Sequence, residues 1–296
     1  MRITHRAVTQ TALLGLNNNL SSVAKLQQQL TSGKLISSPS DSPIGTNKAL
    51  QIRQDQSAVQ QFAKNISDGQ SWLDATDTAL TTALGQVQKV RALTVQALNT
   101  GSVSTSSQKA IAVEVAALRD SLLGVANSSI NDRALFGGVT QGSTAYADDG
   151  TYVGAPPVGE GITRRVSNAD KVRINVTGPE AFGTPGPDDL FGLIGKIATD
   201  VENDPDALSG DLEKLDVALD RLLGAAASVG ARSARIEAAG QVNTDMQLTL
   251  ASQLVDVEDI DLAKTIMELN QTEVGYKAAL QATAQVIQPT LVDFLA

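Results

Sequence analysis

The sequence is short of the residues that usually carry out chemistry. Its 296 residues contain no cysteine, one histidine (His5) and one tryptophan (Trp72). Without cysteine there can be no disulfide, no zinc–thiolate site and no thiol nucleophile. A lone histidine argues against a histidine-based triad or a histidine-rich metal cluster. We therefore expect no catalytic residues, no cofactor-binding residues and no metal ligands, and the protein is predicted not to be an enzyme.

Aromatic residues are scarce as well, with five Phe, three Tyr and one Trp. Apolar residues make up 42% of the chain, and nearly all of them are Ala, Leu, Val and Ile. An aromatic side chain buries roughly 150–250 Å², so rings supply much of the area of a thick core. The composition therefore favours thin helix-on-helix interfaces over one thick core.

Charge and hydropathy exclude two further classes of partner. The 23 Lys and Arg against 32 Asp and Glu give a net charge of −9, with no basic block, which argues against nucleic acid as a partner. No stretch approaches the roughly 20 apolar residues that cross a bilayer, so membrane insertion is not expected. Near the N-terminus the pair Leu13–Leu14 is soon followed by Asn17–Asn19, so we expect no cleavable signal peptide.

Both ends of the chain carry the spacing of a coiled-coil seam, in which apolar residues alternate three and four positions apart. The first seam ends at Ser32-Gly33-Lys34, because Gly accepts the left-handed conformation that closes a helix. Its members are Leu13, Leu16, Leu20, Val23, Gln27 and Leu30. The members of the second are Leu262, Ile266, Leu269, Glu273, Tyr276, Leu280, Thr283 and Ile287.

Three longer helices are predicted between these seams. One starts near Pro43 or Thr46 and runs to Leu98 without an interrupting proline. At 1.5 Å per residue, ~50 residues extend roughly 75–80 Å, whereas a compact globule of this length has a radius of gyration of ~19 Å. The others have apolar stripes from Ile111 to Val125 and from Leu208 to Leu222, the latter continuing or bending at Gly230.

Glycine and proline crowd the region from residue 137 to 187, which predicts turns and short strands. Val172, Ile174 and Val176 alternate with polar residues, as in a half-buried strand, and a short helix is expected around Leu190–Val201. The predicted fold is mainly α: an elongated hairpin-like rod of long coiled-coil helices from both termini, side by side, with a small β-rich insertion at the distal end. Its predicted domains are a terminal coiled-coil assembly domain (1–45 and 245–296), a helical rod domain (46–136 and 206–244) and a β-rich outer insertion (137–205).

Acidic groups give only weak candidate sites. Asp256, Glu258, Asp259 and Asp261 lie beside the second seam and are interpreted as a solvated face. Asp188–Asp189 and Asp204–Asp206 lack the spacing of a calcium loop and are interpreted as helix caps and loop residues. Trp72 is expected in the core.

The terminal seams are the sharpest feature, and we predict that they form an assembly interface between subunits. An isolated two-helix seam with polar interruptions is marginal, because most helix stability comes from tertiary packing. We therefore expect terminal segments that are mobile in the monomer and become ordered when neighbouring subunits bury them. The predicted interface residues are Leu13, Leu16, Leu20, Val23, Leu30, Leu262, Ile266, Leu269, Tyr276, Leu280, Ile287, Leu291 and Phe294.

Several segments at both ends resemble the flagellin superfamily. The N-terminal ones are MRIT at 1–4, LQQQLTSGK at 26–34, SPSDSP at 38–43, NISDGQSWL at 65–73 and TDTAL at 76–80. The C-terminal ones are GAR at 230–232 and SQLVDVEDIDLA at 252–263. Within the superfamily the hook–filament junction family, that of hook-associated protein 3, is the most similar. It is indicated by RALFGG at 133–138, YKAAL at 276–280 and QPTLVDFL at 288–295, although Asn131-Asp132 stands where that family usually has Gly.

The resemblance implies a structural protein of the bacterial flagellum, an adaptor joining the hook to the filament by packing of subunit helices. The implied partners are copies of itself in a helical ring, the neighbouring hook-associated protein, flagellin and an export chaperone. The implied location is the extracellular flagellum, reached by type III export without a cleavable signal peptide. Three alternatives stay open: a flagellin filament subunit, an enzyme or adhesin with its activity in 137–205, and a cytoplasmic coiled-coil scaffold.

Overall fold

The computed structural model describes residues 2–99, 104–155, 161–186 and 189–287. In these ranges long helices dominate, and the strands are two short antiparallel pairs, which confirms the mainly α prediction. The helices are α1 (Arg2–Ser32), α2 (Pro43–Leu98), α3 (Thr105–Ala126), α4 (Gly178–Phe182), α5 (Leu190–Asn203), α6 (Leu208–Glu258) and α7 (Leu262–Ile287). The strands are β1 (Ser129–Ile130), β2 (Arg133–Ala134), β3 (Thr163–Arg165) and β4 (Lys171–Arg173).

The helix boundaries follow the local signals in the sequence. Gly33 ends α1 with φ +69°, and its N–H donates to the carbonyl of Gln29 at 2.8 Å, so it closes the helix as predicted. Asp189 caps α5, because its carboxylate accepts a hydrogen bond of 2.6 Å from the backbone N–H of Gly192. At Gly230 helix α6 continues without a break.

The chain divides into two compact units. The terminal unit comprises residues 1–58 and 247–296, and the central unit comprises residues 59–246. In the terminal unit α1 lies against α7, which confirms that the two terminal helices lie side by side. The three-part division into domains stays a prediction.

The predicted helical stripes form the core of the central unit. Along α2 every predicted position is buried or half-buried: Phe62, Ile66, Gly69, Leu73, Thr76, Leu80, Ala83, Val87 and Val90. The stripes of α3 and of the first part of α6 are buried in the same way, and α3 packs against α5. Trp72 is buried among them, as predicted.

Five of the nine aromatic residues gather in one place in the central unit. Phe136, Tyr146, Tyr152, Phe182 and Phe191 form a chain of ring contacts with centroids 4.8 to 5.8 Å apart, mostly edge to face. These rings belong to the same hydrophobic cluster as the helical stripes. The expectation of only thin helix-on-helix interfaces is wrong for this part of the central unit. The few aromatic rings are concentrated here instead of being spread along the chain, and they form a thicker core.

The region after α3 contains less regular strand than its glycine content suggests. β1 pairs with β2 across a two-residue turn at Asn131 and Asp132, whose φ angles are 51° and 60°. β3 pairs with β4, and that ladder ends at Arg173. The predicted alternation fails beyond this point because Asn175 is buried together with its neighbours, and its side-chain oxygen accepts from the N–H of Ile162 at 3.0 Å.

Candidate assembly surface

The side of α1 that is shielded in the terminal unit follows a regular line. Its positions alternate three and four apart, as expected for one helix lying along another. They are Thr9, Ala12, Leu16, Asn19, Val23, Leu26 and Leu30. The matching shielded line of α7 is Thr265, Leu269, Thr272, Tyr276, Ala279 and Thr283. We call these two lines together the inner seam.

A second apolar line flanks the inner seam on each helix and is exposed. On α1 it contains Leu13 and Leu20, which are 50% and 49% exposed. On α7 it contains Leu262, Ile266 and Leu280, which are 43 to 59% exposed. With 3.6 residues per turn, these side chains lie about 80° round the helix from the centre of the inner seam. We call this set the flanking line.

The predicted interface residues therefore fall into three groups. Leu16, Val23, Leu30, Leu269 and Tyr276 belong to the inner seam, and Leu13, Leu20, Leu262, Ile266 and Leu280 belong to the flanking line. The side chain of Ile287 and residues Leu291 and Phe294 lie outside the described part of the chain. The apolar spacing predicted from the sequence thus combined residues of two neighbouring lines on each helix. The role of these residues in assembly stays a prediction.

An ion-pair cluster, which we call the lock, joins the segment after α1 to the end of α6. The carboxylate of Glu258, whose side chain is only 5% exposed, lies 3.3 Å from the ammonium of Lys34 and 2.8 Å from the guanidinium of Arg53. Lys34 also contacts the carboxylate of Asp259 at 2.8 Å. The interpretation of this acidic cluster as a solvated face is wrong for Glu258 and Asp259, because both are paired.

Backbone hydrogen bonds reinforce the lock. The N–H of Leu35 donates to the carbonyl of Glu258 at 2.6 Å, and the N–H of Ile260 donates to the carbonyl of Gly33 at 3.2 Å. Nearby, Asp41 contacts Lys25 at 3.0 Å and accepts the backbone N–H of Ser38 at 2.9 Å. The end of α1 is thereby fixed beside the start of α7, and the two helices run antiparallel.

Two groups in and beside the lock have pKa values shifted in the directions that their partners predict. Hydrogen bonds to Asp259 and then Glu258 raise the pKa of the Lys34 ammonium above its usual 10.5. Hydrogen bonds from Lys25 and from Ser38 and Ser37 hold the pKa of the Asp41 carboxyl well below its usual 3.8. Each group is therefore more stable in its charged form in the folded protein.

Sequence reasoning missed Lys34 and Arg53 as members of this site. Their carboxylate partner lies 224 and 205 residues away in the chain, so no local pattern connects them. The acidic run at 256–261 was the only signal, and it does not identify the cations that meet it.

The described residues include neither a metal-binding cluster nor a membrane-spanning helix. Across ranges 2–99, 104–155, 161–186 and 189–287, no three Asp, Glu or His side chains are placed to hold a metal ion. In the same ranges, no helix combines the length and the apolar character that crossing a membrane requires.

Comparison with known families identifies the class of protein. The model of the bacterial flagellin N-terminal helical region matches residues 3–141, and that of the bacterial flagellin C-terminal helical region matches residues 212–295. These ranges contain the inner seam, the flanking line and the lock. The chain belongs to the flagellin superfamily.

Individual relatives show which members of the superfamily the chain resembles. The chain is 24% identical to flagellar hook-associated protein 3 of Escherichia coli (strain K12), covering 94% of this chain and 96% of that protein. It is 26% identical to flagellin of Bacillus subtilis (strain 168), covering 97% of each. The crystal structure of the flagellar junction protein FlgL from Legionella pneumophila shares the fold, with a TM-score of 0.57 at 16% identity over 71% of this chain and 99% of that one.

Proposed function

We infer that this protein is a structural adaptor of the bacterial flagellum, which joins the hook to the flagellin filament by packing of subunit helices. The observation that carries this proposal is the flanking line. It places exposed leucine and isoleucine side chains on both terminal helices, within the segments that match the flagellin family. Exposed apolar surface of this kind is typical of protein–protein contact sites.

We propose that the inner seam and the flanking line have different roles. The inner seam holds α1 and α7 together within one subunit, and the flanking line stays available to helices of neighbouring subunits. Burying a Leu side chain contributes about 1.5–3 kcal/mol, so a few such contacts repeated around a ring hold each subunit firmly. The neighbours we propose are further copies in a helical ring, the adjoining hook-associated protein and flagellin.

The relatives support the adaptor over the other classes considered. The named relatives are flagellar structural proteins, and one carries the name hook-associated protein 3. We propose that this chain is likewise non-enzymatic, that it reaches the outside of the cell through the flagellar export apparatus, and that a chaperone accompanies it there. An enzyme or adhesin in 137–205 and a cytoplasmic scaffold receive no support from these relatives.

A matched pair of variants tests the proposal. Leu20→Asp with Leu280→Asp places charge on the flanking line without touching the inner seam, so the purified protein is expected to keep its helix content. Cells carrying it should lack filaments and fail to swim, with flagellin found in the medium instead of on hooks. The control replaces Gln281, an exposed neighbour of Leu280, with Asp and should swim normally. Normal filaments on the double variant would contradict the proposal.

Flagellin is the second candidate, because the Bacillus subtilis flagellin matches the whole chain about as well as hook-associated protein 3 does. A filament subunit and a junction adaptor differ in the number of copies per flagellum. Purified protein seeded with filament fragments should grow into long filaments if the chain is a filament subunit. Labelled protein should appear only at the hook–filament boundary of isolated flagella if it is the adaptor.

A further inference from the structure

Helix α6 carries an acidic face in the first part of its course through the central unit. Glu213, Val217, Asp220 and Leu223 lie within about a third of the helix circumference, given 3.6 residues per turn. Val217 and Leu223 are 59% and 51% exposed, and the two carboxylates are exposed beside them. This acidic face therefore combines two large apolar side chains with negative charge.

Further along, the same helix borders an apolar groove of about 600 Å³. Phe62, Val166 and Ala239 form its interior, and the exposed side chains of Val242 and Met246 line its open side. Both α2 and the turn after β3 contribute to it, and all of its lining residues belong to the central unit. The groove has space for apolar side chains from outside the chain.

Two arginines lie at this groove, Arg235 in its lining and Arg165 beside it. Arg165 lies over the ring of Phe62, 5.9 Å from its centroid, and donates to the backbone carbonyls of Ser167 and Asn168 at 3.1 and 2.6 Å. Arg235 pairs with Asp170 at 3.1 Å, with both side chains more than half exposed. Arg235 and Asp170 line the groove and Arg165 lies beside it on Phe62, so two cations meet one carboxylate there in a chain whose net charge is −9.

We propose that the groove of one copy receives the acidic face of α6 from a second copy of this chain. Val217 and Leu223 enter the groove, and Glu213 and Asp220 face Arg165 and Arg235. Copies with a net charge of −9 repel one another, so contact is most favourable where a positive surface meets a negative one. The inference rests on the proposed function, because it requires that copies of the chain assemble.

The spacing along α6 determines the kind of contact. Val217 and Val242 are 242 − 217 = 25 residues apart on one continuous helix, about 38 Å along its axis. The two surfaces of one copy therefore cannot satisfy each other. The groove of one copy is therefore filled by the acidic face of another copy, and the contact lies between subunits.

Cross-linking tests the contact directly. Since the chain has no cysteine, Val217→Cys and Val242→Cys each introduce a single reactive group. Both variants are co-expressed in cells, and isolated flagella are treated with a short bis-maleimide. The expected product is a mixed dimer, several-fold more abundant than with either variant alone. A dimer of Val242→Cys with itself, or a cross-link to another flagellar protein only, would overturn the proposal.

Charge reversal adds a rescue experiment. Asp220→Arg alone and Arg235→Glu alone should each reduce the cross-link several-fold, and the double variant should restore it. The two positions are 235 − 220 = 15 residues apart, about 22 Å along α6, so screening excludes direct compensation within one copy. Glu237→Arg, an exposed reversal on the same helix outside both surfaces, is the control and should leave the cross-link unchanged. Cells that swim normally but give no mixed cross-link would refute this contact and leave the adaptor function standing.

Discussion

Replacing Glu258 with Gln removes the central charge of the lock and should loosen the terminal unit. Gln keeps the size of the side chain, so packing is preserved and only the electrostatic part changes. Lys34 keeps Asp259 as a partner, whereas Arg53, which contacts both oxygens of the Glu258 carboxylate at 2.8 and 2.9 Å, keeps only one neutral oxygen acceptor at this position.

The magnitude follows from the exposure of the three side chains. Removing one partner of a fully buried pair costs about 3–5 kcal/mol, and an exposed pair contributes about 0.2–1 kcal/mol. Here the carboxylate is 5% exposed, but the side chains of Lys34 and Arg53 are 42% and 55% exposed and can be rehydrated. We therefore expect a loss of about 1–2 kcal/mol, between these limits.

Amide hydrogen exchange on the full chain measures this effect locally. A loss of one or two kcal/mol should lower protection by about 5- to 30-fold at the end of α1 and the start of α7. Amides of α5, in the central unit, serve as an internal reference and should not change. Asp256→Asn is the matched control, since Asp256 is exposed, and should stay within about 0.5 kcal/mol of the wild type. Equal protection in the two variants would refute the reasoning.

Two further predictions concern the central unit. Asp132→Gly should stabilise this unit by about 0.5–1 kcal/mol in thermal denaturation, because φ at this position is 60° and glycine adopts that region without strain. Asp132→Ala is the control and should give no gain in stability. An equal gain from both variants would contradict the explanation. Hydrogen bonds that Lys196 donates to Asp200 and then Asp211 raise the pKa of its ammonium to about 12. A raised lysine pKa stabilises the fold below the unfolded value of 10.5, and the contribution is lost as pH rises through 12. The difference in unfolding free energy between wild type and Lys196→Met should therefore shrink between pH 10.5 and pH 12. A constant difference over this range would show that the ion pairs of Lys196 do not stabilise the fold.

The buried face of a helix was predictable wherever the helix carries a single stripe of apolar residues that packs against one surface. Along α2 the spacing from Phe62 to Val90 identified the buried face position by position, and Gly33 marked the end of α1. These signals are local, because periodicity and left-handed glycine both arise within a few residues of chain. Family membership was predictable for a similar reason, since the matching segments are continuous.

The terminal helices were harder, because their apolar residues form two neighbouring lines. Leu13 and Leu16 are three positions apart and fit one stripe equally well, yet Leu16 lies in the inner seam and Leu13 is exposed. Periodicity gives the spacing of a stripe but not the direction from which a partner approaches. The lock was not predictable for another reason, since Lys34 and Glu258 are 224 residues apart in the chain and no local pattern connects them.

The gathering of aromatic side chains has a practical consequence for spectroscopy of this protein. Residues 59–246 hold seven of the nine rings, among them the only tryptophan, whereas the terminal unit contributes Tyr276 and Phe294. Ultraviolet absorption and intrinsic fluorescence therefore report almost entirely on the central unit. A fluorescence melt and a far-ultraviolet circular dichroism melt of the same sample, taken together, separate the unfolding of the two units without a label.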